Sequence, residues 1–156
     1  MHYGTDVIVS NITSIVSSSD SRHEKAQRIA DTIKEFGPYR WVGVYDVDPE
    51  AVSAIAWSGP AAPAYPTFPS SKGLTSSAIK EKATVVAGDV TNDPRYLTTQ
   101  GSTLSEIIVP VLSTRDGNVM GTIDVESEKA NAFGDRDREI LEQCARAALP
   151  LWFALR

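Results

Sequence analysis

Two apolar runs at residues 105–112 and 119–126 flank the turn sequence Arg115-Asp116-Gly117-Asn118, and no other feature constrains the fold of this chain so tightly. Asp-Gly between two strand-like runs is a strong hairpin signal, so the runs are expected to pair antiparallel. The second run carries Asp124 and Glu126 two residues apart. Side chains at i and i+2 of a strand share a face. Ile123 and Val125 therefore point one way and both carboxyls the other, with Met120 and Thr122 behind them. An isolated buried carboxylate is costly to desolvate. The acidic face must meet water, a partner cation or a ligand. The solvated face of an ordinary antiparallel sheet and a pocket selecting positive charge both satisfy that requirement.

Upstream, Ile8, Ile12 and Ile15 recur at helical spacing, and Ser17-Ser18-Ser19-Asp20 interrupts the pattern. Ser21 followed by Glu24 reads as a capping box. The helix it opens has Ala26, Ile29, Ala30, Ile33 and Phe36 as its apolar stripe and Gly37-Pro38 as its stop. Residues 40–47 form the first strand, with Trp41, Gly43, Tyr45 and Val47 on one face and Val42, Val44 and Asp46 on the other. A turn at Asp48-Pro49-Glu50 leads to a second strand at 51–57. Residues 58–71 hold Pro60, Pro63, Pro66 and Pro69 and are expected to lack regular structure. A short helix at 74–82, a short strand at 84–86 and an irregular stretch at 89–103 precede the hairpin. The final helix follows residues 131–135, carries Ile140, Leu141, Cys144, Ala148 and Leu151 as its stripe, and should kink at Pro150. This order indicates an α+β fold, a mainly antiparallel sheet with helices on one face and a cavity on the other.

At 156 residues the chain is expected to be one domain, with an N-terminal helix and linker at 1–20 and a core at 21–156. The net charge of −5, without a basic stripe, argues against nucleic acid as a partner. No apolar run reaches the length of a membrane span, and the start lacks the pattern of a secretory signal. Cys144 is the single cysteine, so an intrachain disulfide is impossible and a cytoplasmic location is the expectation.

Five segments carry a resemblance: Trp41-Val42-Gly43-Val44-Tyr45, Ser71-Lys72-Gly73, Ser105-Glu106-Ile107-Ile108-Val109-Pro110, Gly121-Thr122-Ile123-Asp124-Val125-Glu126-Ser127, and Phe133 through Asp137. In this order they resemble GAF domains, and most closely the free methionine-(R)-sulfoxide reductase branch. The resemblance implies a PAS-like sheet, and a pocket for an amino-acid substrate lined by Trp41, Tyr45, Glu106, Asp124 and Glu126. It also places the branch's three cysteines at Tyr65, Thr75 and Thr99, where this chain has no thiol. Attack on a sulfoxide and resolution as a disulfide need two thiols, so reductase activity is not expected. Glu126 stands where the branch has Asp, so the pocket is altered as well as disarmed.

Strand parity agrees with the resemblance, since Trp41 and Tyr45 share a face and so do Asp124 and Glu126. Carboxylates suit an ammonium, and aromatic faces add cation–π attraction. Asn131-Ala132-Phe133 and Asp137-Arg138 depart from the cyclic-nucleotide signature of some GAF domains at Ala132 and Arg138, and acidic walls repel phosphate. Phe133 reads instead as a hydrophobic staple. Thr75 and Ser76 open a helix and read as ordinary capping residues, although free amides there could also hold an anion. His2 and His23 have no neighbours at ligand spacing, so neither metal nor other cofactor is expected. The apolar end, Leu149 through Leu155, should pack on the first helix or on a second copy of the chain, giving a homodimer. The expectation is a non-catalytic sensor or regulatory domain for an amino-acid-like or amine ligand. The alternatives are a reductase working without the usual cysteines, for instance with Cys144 near the pocket, and a structural dimerisation domain whose pocket has collapsed.

Overall fold

The computed structural model describes residues 3–37, 39–97 and 101–155. Six antiparallel strands form one sheet in the order β3-β2-β1-β6-β5-β4, comprising β1 (Trp41–Val47), β2 (Ala51–Ser58), β3 (Thr67–Pro69), β4 (Val85–Ala87), β5 (Ser105–Leu112) and β6 (Val119–Ser127). The hairpin of β5 and β6 is central because its alternating side chains are covered on both faces. Ile107, Val109, Val111, Ile123 and Val125 enter the larger core, together with Val42 and Val44 of β1.

Three helices close that side: α1 (Tyr3–Ser17), α2 (Arg22–Phe36) and α4 (Asp135–Ala148). Ser21 caps α2 by accepting the Glu24 N–H at 3.1 Å. Of the α2 stripe, Ala26, Ile29, Ala30 and Ile33 are buried. Phe36, expected to belong to it, is partly exposed at the last turn. Gly37 is the C-cap, as its position after the stripe predicts, and Pro38 lies outside the described residues. Despite its β-branched and serine content, which lowers helix propensity, α1 is a full helix because Ile8, Ile12 and Ile15 are buried in the shared core.

The end of the chain is absorbed into the same core. Leu149, Leu151 and Trp152 are buried, and Phe153 is exposed. Past Pro150 the backbone continues as a 3-10 helix, Leu149–Leu155, rather than as a kinked α-helix. Trp152 fills the hollow above Gly121, where a Cβ would stand 2.4 Å from the indole. Arg22 ties the segment down, its Nε donating to the Leu151 carbonyl at 3.0 Å while its guanidinium pairs with Asp46.

One further expectation fails at the sheet edge. The proline-rich stretch contains β3, which pairs Thr67 with Ser53 and Phe68 with Val52. Among the described residues only one edge of β3 is bonded, and Pro66 contributes a carbonyl to the Ala54 N–H at 2.7 Å, so proline is tolerated there. Phe133 is buried in the same core as Ile140 and Leu141, its ring packs on Tyr39 at 5.7 Å, and the Tyr39 hydroxyl donates to Asp137.

Candidate functional site

The second face of the sheet is covered by α3 (Gly73–Glu81) and the segments around it. Its side chains come from the same strands as the helix-side core, at alternate positions. Glu106 of β5 stands opposite Glu126 of β6, and Ile108 stands opposite Asp124. On the other side of β6, Glu126 faces Trp41 and Asp124 faces Gly43. The expected parity is therefore realised, and the register brings a third carboxyl, Glu106, beside the first two. Each carboxyl offers one oxygen, and the three oxygens lie within 4.8 Å of one another. All three side chains are buried, as are Trp41 and Tyr45.

Gly43 permits this crowding. A Cβ there would stand 2.5 Å from the Trp41 ring and 2.7 Å from the Tyr45 ring, so the two aromatics close over the glycine. Trp41 is fixed by its Nε1 donating to the Ala61 carbonyl at 3.0 Å. Tyr45 packs edge-on against Phe68, with centroids 6.0 Å apart.

Three carboxyls in so small a dry volume cannot all ionise without a cation. Burial, then the charges of Asp124 and Glu126 and hydrogen bonds to both, hold Glu106 protonated well above the usual carboxyl range. Burial raises Asp124 to about 6, against a hydrogen bond from Glu106 that lowers it. Glu106 therefore holds a proton beside Asp124, and the two titrate as a pair. Neither Glu106 nor Asp124 forms an ion pair with a basic side chain among the described residues. Asp124 Oδ1 is buried with no hydrogen-bond partner among them. The Thr103 hydroxyl donates to Glu126 at 2.5 Å.

A small cavity of about 10 Å³ opens onto Glu106 and Asp124, room for about one water. Its other walls are Phe68, Ile108, Leu97, Tyr65 and the first turn of α3, Gly73 through Thr75. Trp41, Tyr45 and Glu126 form the layer around the two cavity-facing acids rather than its immediate lining. Tyr65 is half exposed, so it stands at the rim and does not plug the interior. Thr75 is buried at the wall, and Thr99 lies outside the described residues. Lys72, the residue capping α3, makes no side-chain cap, so the first-turn amides retain donor capacity toward the cavity. Ser76 is occupied, its hydroxyl donating to the Gly73 carbonyl at 3.0 Å.

The carboxyl trio is also an all-oxygen donor set of the kind hard divalent cations take. A reading based on histidine spacing could not reveal it, because His23 instead sets its Nδ1 3.0 Å from the Ile55 carbonyl. Thr103 carries no signal in the sequence, since nothing in an irregular stretch marks a threonine as a carboxylate partner. Cys144 lies in the helix-side core across the sheet from the trio. Burial pushes its thiol up to about 12, so it stays protonated at neutral pH.

A sheet in this order, with helices on one face and a capped acidic cavity on the other, matches a known architecture. The sequence profile of the GAF domain matches residues 19–150. The chain belongs to the GAF domain family. It is similar to GAF domain-containing protein A of Dictyostelium discoideum, 26% identical over 137 residues that cover 87% of this chain and 84% of that protein. Among solved structures, a type II free methionine-R-sulfoxide reductase from Thermoplasma acidophilum superposes with a TM-score of 0.79 at 31% identity, covering 85% of this chain and 93% of that one. The free methionine-R-sulfoxide reductase of Neisseria meningitidis, solved with its substrate, gives 0.85 at 28% identity, covering 96% and 89%. This GAF domain is therefore related to those reductases, and a single buried cysteine accompanies the relationship.

Proposed function

We propose that this GAF domain binds a small amine, amino-acid-like in shape, without transforming it, and serves as a sensor or regulatory module. The observation that carries the reading is the buried carboxyl trio, whose oxygens lie within 4.8 Å of one another. An ammonium would replace the proton held there, meet Asp124 Oδ1, and gain cation–π attraction from the Trp41 and Tyr45 rings. The opposite wall supports a zwitterion. Uncapped first-turn amides and the positive end of α3 favour a carboxylate there. Likeness to reductases of free methionine sulfoxide supports a ligand of amino-acid class. The lack of thiols at Tyr65 and Thr75, and the position of Cys144 across the sheet, support binding without redox chemistry.

At about 10 Å³ the cavity is smaller than any amino acid, so entry requires Tyr65 and Leu97 at the rim to move outward. That small volume also favours a second reading, a structural domain whose pocket no longer opens. One titration separates the two. Intrinsic tryptophan fluorescence is followed with methionine, both methionine sulfoxide epimers, a panel of small amines, and Mg²⁺ and Ca²⁺, on wild type and Asp124→Asn. Saturable quenching by an amine, weakened at least about tenfold in the variant, is expected. Silence toward every amine, with the protein folded, would support the closed structural domain. A response to the divalent ions alone would replace the amine with a metal.

A further inference from the structure

Away from the carboxyl trio, a groove of about 410 Å³ opens at the edge of the sheet, within the size range of small-molecule sites. It exists because β4 is short. Val85 pairs with Ile108, and beyond that point no described strand covers β5 on this side. Val109, Pro110 and Leu112 are left as an apolar floor, with Ala145 of α4 beside them. The link from α3 to β4 supplies one wall through Lys82, Ala83 and Thr84, and α4 supplies the other.

The charge of these walls runs against that of the chain. The whole protein is at −5, yet the groove gathers Lys82, Arg138 and Arg146 around a single carboxylate, Glu142. That carboxylate is already engaged: its Oε2 accepts the Thr84 hydroxyl at 2.5 Å and Arg138 Nε at 3.3 Å. Arg146 is exposed and joins no ion pair among the described residues. Lys82 sits in a left-handed conformation at φ 52°, and its ammonium donates to Asn118 Oδ1 at 3.3 Å. An uncovered strand edge also invites an added peptide strand. Pro110 has no N–H to offer one, and proline with lysine is how edges repel strand addition. The geometry points to a second ligand site, for a small organic anion whose compact apolar body rests on Val109, Pro110, Leu112 and Ala145 while its charge lies among Lys82, Arg138 and Arg146.

The test uses the full chain and two fluorescent probes that share an aromatic body, 1-anilinonaphthalene-8-sulfonate and the uncharged N-phenyl-1-naphthylamine. The sulfonate is expected to bind saturably at one per chain and at least about tenfold more tightly than the neutral probe. Arg146→Glu should weaken it by a further factor of about ten. Lys82→Gly removes a cation while suiting the left-handed backbone, so it should weaken binding without lowering the melting temperature. It carries the test if Arg146→Glu disturbs folding. Asp124→Asn, on the other face of β5 and β6 from α4, should leave the sulfonate affinity unchanged. Equal affinity for the two probes, or wild-type affinity in both groove variants, would overturn the proposal. So would a concentration-dependent dimer, seen by light scattering, that Arg146→Glu disperses, since the groove would then be an interface between copies.

Discussion

The two faces of the central hairpin are built from alternate residues of the same strands, and they are buried to the same degree for opposite purposes. Toward α1, α2 and α4 the strands present Ile107, Val109, Val111, Ile123 and Val125, apolar and β-branched, whose burial contributes roughly 1.5–3 kcal/mol each. Toward α3 the same strands present Glu106, Asp124 and Glu126, and Thr122, whose hydroxyl is buried without a hydrogen-bond partner among the described residues. Burial there costs stability. A sheet that meets the helix-side requirement so fully has margin to keep charge-bearing groups dry on its reverse. The acidic face is therefore not a weak core. It is a set of carboxyls whose burial disfavours the charge they would carry in water at neutral pH.

The contrast is open to being broken, and the largest effect is expected on the helix side. Trp152→Ala should destabilise by about 3–5 kcal/mol, because the indole fills the hollow over Gly121 and no neighbour can replace it. Chemical denaturation at pH 7 measures this, and the loss should barely vary with pH. A loss under about 1 kcal/mol would mean that the chain end is not an integral part of the core.

On the reverse face the expected sign is the opposite. Burial raises Asp124 to about 6 in the folded protein from its ordinary value of 3.8. A carboxyl raised on folding contributes its stability below its unfolded pKa and loses it as pH climbs through the folded one. Wild-type stability should therefore fall from pH 4 toward pH 8. Asp124→Asn should gain on the order of 2–3 kcal/mol at pH 8 and nothing near pH 3.5. Denaturation curves at several pH values would show it. A variant less stable than wild type at pH 8 would show that the carboxylate is stabilised rather than strained.

The smallest of the three effects sharpens the boundary between the faces. Gly43→Ala would drive a methyl into the Trp41 and Tyr45 rings, costing about 1–3 kcal/mol. It should shift tryptophan emission, because Trp41 must move. Unchanged emission would mean that the aromatic layer yields elsewhere.

Much of this contrast could be read in the sequence wherever periodicity carries information. The Asp-Gly turn and the alternation through residues 119–126 placed Asp124 and Glu126 on one face before any coordinates, and register then determined that Glu106 lies opposite Glu126. Ser21, the α2 stripe and the helix-side core were legible for the same reason. Legibility failed where position depends on long-range packing. Strand β3 hides among prolines because an edge strand needs only one bonded side. Phe36 belongs to the apolar period of α2 and still meets solvent, because the core ends a turn earlier. Thr103 is seated under Glu126 from an irregular stretch, where spacing predicts nothing. The near-closure of the cavity, and Tyr65 at its rim instead of inside it, depend on how α3 and its flanking segments settle on the sheet.

Everything proposed for the acidic face turns on burial holding Glu106 and Asp124 above the usual carboxyl range. The most direct measurement follows the side-chain carboxyl carbons by carbon-13 NMR from pH 3 to pH 9, in wild type without added amine. At least one of the three carboxyls should titrate at or above about pH 6, and an amine that binds should move that titration downward. If all three ionise below pH 4.5 in the folded, ligand-free protein, the site is already satisfied from within, and the case for a cationic ligand falls.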